Sequence, residues 1–251
     1  MLDAMNLLRA LAKGGDVWMY LRSLWTDPWN APQERVVTID GVKFFVRRRT
    51  SDAFVIDEVL RRKVYGEPPR GVVLDLGANI GAYSLFAART AEKIFAFEPE
   101  SSTYAQLEKN IALNGIQNVT PFKKAVGGRS GVATLYKASS NVGAHSIANT
   151  ISKNTENVEI VTLEEALKIC GASHVNVLKV DIEGSEYELF ENAPLDVLGR
   201  IDAIYMETHP VKGKGTDDIA RKLYDAGFTV RFEYTRLSPF GMKMLFAEKK
   251  T

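Results

Sequence analysis

The stretch Val73-Leu74-Asp75-Leu76-Gly77-Ala78-Asn79-Ile80-Gly81 decides the fold. Its first half is apolar apart from Asp75, the texture of a strand buried on both faces of a helix-covered parallel sheet. Gly77 and Gly81 then mark a turn, and Tyr83 to Ala88 continues at helical spacing. A second buried strand follows at Ile94 to Phe97, closed by Glu98. This order describes a nucleotide-type site. The glycines let a ligand approach the backbone, the helix N-terminus offers unpaired N–H groups, and the acid stands where ribose hydroxyls would lie. A dinucleotide cradle would need G-x-G-x-x-G. Asn79 and Ala82 fill its second and third glycine positions, so a nicotinamide dinucleotide is not the expected ligand.

Working outward, Tyr104 to Asn114 reads as a helix ended by Asn114-Gly115, and Val119 to Ala125 as a third strand. Further strands are expected at Val175 to Val180, Ala203 to Met206, Phe228 to Glu233 and Lys243 to Ala247. Helices are expected at Leu163 to Ile169, Ser185 to Asn192 and Asp217 to Asp225. Strands alternating with helices predict a doubly wound, mostly parallel, seven-stranded α/β sheet, Rossmann-like, with the last two strands as an antiparallel hairpin through Pro239 and Gly241. Upstream, Asp40-Gly41 joins Glu34–Ile39 to Val42–Val46 as a β-hairpin, and Asp52 to Lys63 forms a helix capped by Ser51 or Asp52. The chain therefore divides into an N-terminal helical and β-hairpin extension, 1–65, and a main domain, 66–251. Met1 to Trp25 has the pattern of two short amphipathic helices, with a lid or a membrane-surface helix as alternatives. Gly14-Gly15-Asp16 interrupts what a secretory signal would keep apolar. Ser139 to Thr155 reads as a long loop, in which His145 is the residue to test.

The 251 residues are 45% hydrophobic and 25% charged, which excludes collagen-like and disordered classes. Lys+Arg 32 against Asp+Glu 31 leaves a net charge of +1, without the basic excess usual in proteins that grip nucleic acid by its phosphates. Arg47-Arg48-Arg49 and Arg61-Arg62-Lys63 read as solvated faces, with an acidic glycan, phosphate or RNA contact as the minority alternative. The single cysteine, Cys170, can form no internal disulfide, and no apolar run approaches the ~20 residues of a membrane span. A cytoplasmic protein is expected.

A second constellation follows the later strands: Asp181, Glu183 and Glu186 after one, Glu207 and His209 after the next. Ligands of open α/β sheets lie at the carboxyl ends of strands, so these five are expected in one cleft with Glu98. His209, with its near-neutral titration, is the natural general base. Asp181 would orient an acceptor, help hold a cofactor, or help ligate a metal. Glu183 and Glu207 are candidate catalytic carboxylates, and Glu186 either joins them or favours its helix N-terminus. Carboxylate oxygens so gathered make a divalent cation conceivable, but nothing in the spacing demands one, and none is assigned. His174 reads as structural. The Asp181-Ile182-Glu183-Gly184 segment differs from the Asn/Asp-Pro-Pro-aromatic element of enzymes that methylate nucleobase amino groups.

Asp75 to Gly81, Phe97-Glu98-Pro99, Ala125-Val126-Gly127, Lys179 to Glu186 and Glu207-Thr208-His209 occur in that order. Together they resemble the FkbM family of S-adenosylmethionine-dependent methyltransferases, within the class I methyltransferase fold, from about Asp52 onward. Asp75 suits the cationic end of S-adenosylmethionine, and Glu98 its ribose. The resemblance implies that Asp75, Gly77, Ala78, Asn79 and Gly81 line the methionine end, that Pro99 shapes the turn, that Ala125 and Val126 flank the adenine, and that Asp181 also approaches the cofactor. Lys124 stands where many class I enzymes keep an acid for the adenine amino group. The implied reaction is O-methylation of a small molecule, sugar or lipid-linked glycan. Nucleic acid is not the expected partner. An RNA methyltransferase and a non-catalytic S-adenosylmethionine-binding scaffold or sensor are the alternatives.

Overall fold

The computed structural model describes residues 34–47, 50–136, 155–234 and 242–249. The expected N-terminal helices, the Ser139 to Thr155 loop with His145, Arg48, Arg49, and the turn through Pro239 and Gly241 lie outside the described residues.

Two short strands, β1 (Glu34–Ile39) and β2 (Val42–Arg47), pair antiparallel through Asp40 and Gly41, both at positive φ (49° and 80°), as the Asp-Gly signal predicts. Helix α1 (Asp52–Ile56) widens into a π-helical turn at Asp57–Arg61, where the Arg62 N–H donates to the Asp57 carbonyl. Neither expected cap works as one. Ser51 makes no side-chain cap bond, and Asp52 is buried, accepting from both the backbone and the guanidinium of Arg47.

The main sheet has the order β11-β12-β10-β9-β3-β4-β5, formed by β3 (Gly71–Leu76), β4 (Ala91–Phe97), β5 (Val119–Phe122), β9 (Val175–Val180), β10 (Ile201–Thr208), β11 (Phe228–Tyr234) and β12 (Lys243–Lys249). Strands β10, β9, β3, β4 and β5 run parallel, and β12 is antiparallel to both β10 and β11. The chain first winds outward from β3 to β5 and later outward from β9 to β11. The strand order therefore reverses between β3 and β9, the position where such sheets bind ligands.

The third expected strand is two strands. After β5 the chain leaves the main sheet, and β6 (Ala125–Gly127) pairs parallel with β8 (Thr155–Thr162), which pairs antiparallel with β7 (Gly131–Tyr136). This three-stranded side sheet stands beside the ligand edge. Lys124, at the crossover, is ion-paired to Glu159 of β8.

Helices α2 (Ala82–Ala87), α3 (Ser101–Leu113), α4 (Leu163–Cys170), α5 (Glu186–Asn192), α6 (Leu195–Leu198) and α7 (Thr216–Asp225) cover the sheet. Two apolar clusters fill its faces. One contains Val37, Phe44 and Ile56 together with Ile80, Phe86 and Leu107, so residues 34–65 share a core with the glycine turn. Asn110 and Gln106 of α3 bond to the backbone of β2, tying the hairpin to the main sheet. Among the described residues no helix is long and apolar enough to cross a membrane.

Candidate active site

Two backbone junctions build the site. After β3, the Gly77 and Ala78 N–H groups both donate to the Phe97 carbonyl, which locks the turn to the end of β4. After β9, the Asp181 N–H donates to the Leu76 carbonyl, which sets the two switch-point strands edge to edge. Gly77 (φ 74°) is required by the second junction, because a Cβ there would stand 1.8 Å from the Asp181 carbonyl oxygen. Gly81 does not open the backbone to a ligand as expected. It holds φ 90° at the start of α2, and a Cβ there would run into Leu107 and Leu85.

Asp75 differs most from its expected place at the cofactor's cationic end. Its side chain is fully buried beneath the turn, where it accepts from the Ser84 hydroxyl (2.6 Å) and pairs with the Lys179 ammonium (3.2 Å). Lys179 faces it across the β3–β9 register. Its ammonium also donates to the Gly77 carbonyl (2.7 Å) and lies 3.7 Å from Asp181. Burial alone would lower the Lys179 pKa, yet Asp75 and Asp181 raise it, so the group stays charged. This lysine sits under both junctions and had no sequence-derived role. Its signal was a charge inside the otherwise apolar run Val177-Leu178-Lys179-Val180.

Above it opens a cleft lined by Gly77, Asn79, Phe97, Glu98, Pro99 and Thr103 on one side, by Lys124, Ala125, Val126 and Leu135 on the side sheet, and by Asp181, Ile182, Glu183 and Ser185 after β9. Of the expected cofactor residues, Gly77, Asn79, Glu98, Pro99, Ala125, Val126 and Asp181 line it. Asp75, Ala78 and Gly81 lie behind. Leu135 and Thr103 were not anticipated, since a side sheet reaches the cleft only through tertiary structure.

Glu98 is held rigidly. One oxygen accepts from the Asn79 N–H (3.0 Å) and the other from the Glu100 N–H (2.9 Å). Asn79 is at φ 52°, its own amide oxygen accepting from Ile80, so the turn residue that replaces a glycine also positions the carboxylate. Burial pushes the Glu98 carboxyl up to about 7, against the two N–H bonds that hold it down.

At the other end Asp181, Glu183, Glu186, Glu207 and His209 gather, but of the five expected in the cleft only Asp181 and Glu183 line it; Glu186 is fully buried, and Glu207 and His209 stand beside Asp181. The His209 Nδ1 bonds to Glu186 (2.9 Å), leaving Nε2 3.4 Å from Glu183 and 3.9 Å from Asp181. Glu186 is fully buried and also accepts from the Ile182 N–H. Glu183 and Gly184 take consecutive left-handed conformations (φ 54° and 99°), a strained turn that directs the chain round the cleft edge. Burial and the Asp181 charge push Glu183 and Glu207 up to about 8. Burial would lower the His209 pKa, but the bond to Glu186 and the charges of Glu186, Asp181 and Glu183 raise it to about 10.

The extension reaches this end as well. The Tyr65 hydroxyl donates to Asp181 (3.3 Å), its ring stacks edge-on against Tyr83, and the Lys179 ammonium lies 5.6 Å from its centroid. Glu58 is pushed up to about 7 by burial and by Asp181, against Arg62. His174 pairs with Asp202 (2.8 Å) away from the cleft. Arg61 and Arg62 are both ion-paired to Asp57, and Lys63 to Glu67, so the run read as a solvated face, with an acidic glycan, phosphate or RNA contact as the alternative, is matched by acid.

The family model described as "Methyltransferase FkbM domain" matches residues 75–230. Methyltransferase 1 of Beauveria bassiana is 26% identical over 217 residues, covering 76% of this chain and 86% of that protein. The hexuronic acid methyltransferase AglP of Haloferax volcanii is 25% identical over 167 residues, 66% of each chain. Among solved structures, M. jannaschii TYW2 in complex with AdoMet superposes with a TM-score of 0.50 at 13% identity, covering 88% of this chain and 87% of that one, a likeness of fold.

Proposed function

This chain belongs to the FkbM methyltransferase family, and we propose that it moves the methyl group of S-adenosylmethionine to a hydroxyl oxygen of a sugar or other small polyol. The observation that carries the reading is the continuity of one cleft from Glu98, at the end of β4, to Asp181 and Glu183 after β9.

The residues present fit the cofactor by the chemistry of their donors. Glu98 is buried, and each oxygen has one backbone N–H, leaving its other lone pairs for a pair of ribose hydroxyls. Ala125, Val126 and Leu135 form an apolar wall suited to a flat base. Lys124 is committed to Glu159, so base recognition rests on packing and backbone rather than on an acid at that position. The cationic amino-acid end suits the Asp181 side, where carboxylates outnumber cations. When bound, S-adenosylmethionine supplies an electrophilic methyl group on a sulfonium.

The chain's own task is to hold the acceptor oxygen in line and take its proton. Glu183 is assigned that proton. It lines the cleft beside Asp181, and its carboxyl, pushed up to about 8, is basic enough to take a hydroxyl proton near neutral pH. His209, fixed by Glu186, holds the carboxylates together as a positioning residue. An uncharged acceptor hydroxyl asks for no basic docking face, and the matched charges of the Arg61 to Lys63 run agree. The acceptor class draws support from the hexuronic acid methyltransferase among the relatives. Incubation with methyl-labelled S-adenosylmethionine and separate pools of glycans, small polyols, lipids and RNA tests it. Label in the glycan or polyol pool is expected, and label confined to RNA would overturn the acceptor assignment.

A further inference from the structure

The geometry points to a divalent-cation site formed by Asp181, Glu207 and His209, at the acceptor end of the cleft. One ligand atom from each residue lies within 4.8 Å of the other two. Ligands at ~2.1 Å from a common ion stand ~3–4 Å apart, so small side-chain adjustments close the set.

Three features separate this group from a chance gathering of acids. The first is the histidine's orientation. Its Nδ1 is held by Glu186, which is fully buried, and Nε2 is thereby turned into the cluster, 3.4 Å from Glu183 and 3.9 Å from Asp181. A carboxylate on the far nitrogen is the usual companion of a metal-bound imidazole, because it fixes the ring and raises the basicity of the ligating nitrogen. The second is the state of that carboxylate. Its Oε1 serves both His209 and the Ile182 N–H, while its buried Oε2 has no hydrogen-bond partner. So placed, Glu186 is an electron-rich partner for the ring, which suits an imidazole whose Nε2 holds a cation. The third is the division of labour within Asp181. Its Oδ2 takes the Tyr65 hydroxyl and faces the Lys179 ammonium, and its Oδ1 is the atom turned toward His209. The positive charge already built in thus meets the oxygen that points away from the histidine.

One imidazole with two carboxylates favours a first-row ion such as Mn²⁺ or Zn²⁺ over Ca²⁺, which prefers oxygen alone. Such an ion would present open positions beside Glu183 and take two neighbouring oxygens of the acceptor. A vicinal diol or a hydroxy-carboxylate is the matching chemistry. The acceptor class rests on the methyl-transfer reading, whereas the cation site rests on geometry alone.

Mn²⁺ titration of the full chain, followed by the paramagnetic resonance signal of free Mn²⁺, tests the site without turnover. The wild type is expected to remove about one Mn²⁺ per chain, and Zn²⁺ to displace it. Asp181→Asn and Glu207→Gln should each weaken uptake at least tenfold. Exposed Glu191→Gln should behave as wild type. Retained S-adenosylhomocysteine binding by Glu207→Gln shows that this variant is folded. Wild-type protein that leaves millimolar Mn²⁺ free and takes up no Zn²⁺ overturns the site, as does uptake undiminished in both ligand variants. If Mn²⁺ binds but methyl label enters RNA alone, the site stands and the acceptor assignment falls.

Discussion

The two ends of the cleft handle negative charge in opposite ways. At the β4 end a single carboxylate, Glu98, is buried and given a backbone N–H for each oxygen, so its direction is fixed and its remaining lone pairs face the cleft. At the β9 and β10 end Asp181, Glu183, Glu186 and Glu207 crowd round one histidine, with Lys179 shared between Asp181 and Asp75. Dipoles satisfy the first end, and the second keeps an excess of charge. A carboxylate clamped by N–H groups suits a neutral diol that must be recognised but not altered. A charged cluster on a strained turn suits a step in which a proton or a cation has to be managed.

That contrast breaks first if the two ends are not separable by mutation. Glu183→Gln is expected to reduce turnover by about 10²–10⁴-fold, the usual range for a general base, with S-adenosylhomocysteine affinity within about twofold of wild type. Single-turnover kinetics beside calorimetry reads both quantities, and an equal loss in each would merge the two ends into one. Lys179→Met addresses what lies beneath them. It leaves Asp75 buried without its cation and should cost about 3–5 kcal/mol of stability, a fall of about 10 °C in Tm by calorimetric scan. A Tm unchanged within a degree would mean that the ion pair under the junctions contributes nothing. Glu98→Ala removes two charge-assisted bonds and should weaken S-adenosylhomocysteine by roughly 10- to 100-fold. The smallest effect sharpens the account of Glu98. Its carboxyl is pushed up to about 7, and the ionised form is the better acceptor for hydroxyls. Cofactor affinity should therefore rise severalfold between pH 6 and pH 8, and Glu98→Gln should flatten that rise.

Much of the main sheet was legible because buried parallel strands are written as apolar runs. Val73–Leu76 and Val175–Val180 need no partner to be recognised. The positions of Glu98 and of the Asp181-to-His209 group followed from the rule that ligands lie at strand carboxyl ends. What was hidden depended on contacts between distant segments. The break between Phe122 and Ala125 is invisible locally, because both halves are extended and only pairing with Thr155–Thr162 separates them. Asp75 reads as a ligand-facing acid until Lys179 is found opposite it in register. Tyr65 carries no local signal at all. It reaches Asp181 because residues 34–65 share the core of the glycine turn. The reading of His209 as base assumed an ordinary titration, and the Glu186 contact changes that assumption.

Glu98 and its cleft are assigned the ribose and base of S-adenosylmethionine. Titration calorimetry of the wild-type chain with S-adenosylhomocysteine, and separately with NAD, tests this assignment most directly. The prediction is saturable binding of about one S-adenosylhomocysteine per chain and no heat with NAD. Binding of NAD without binding of S-adenosylhomocysteine would contradict it.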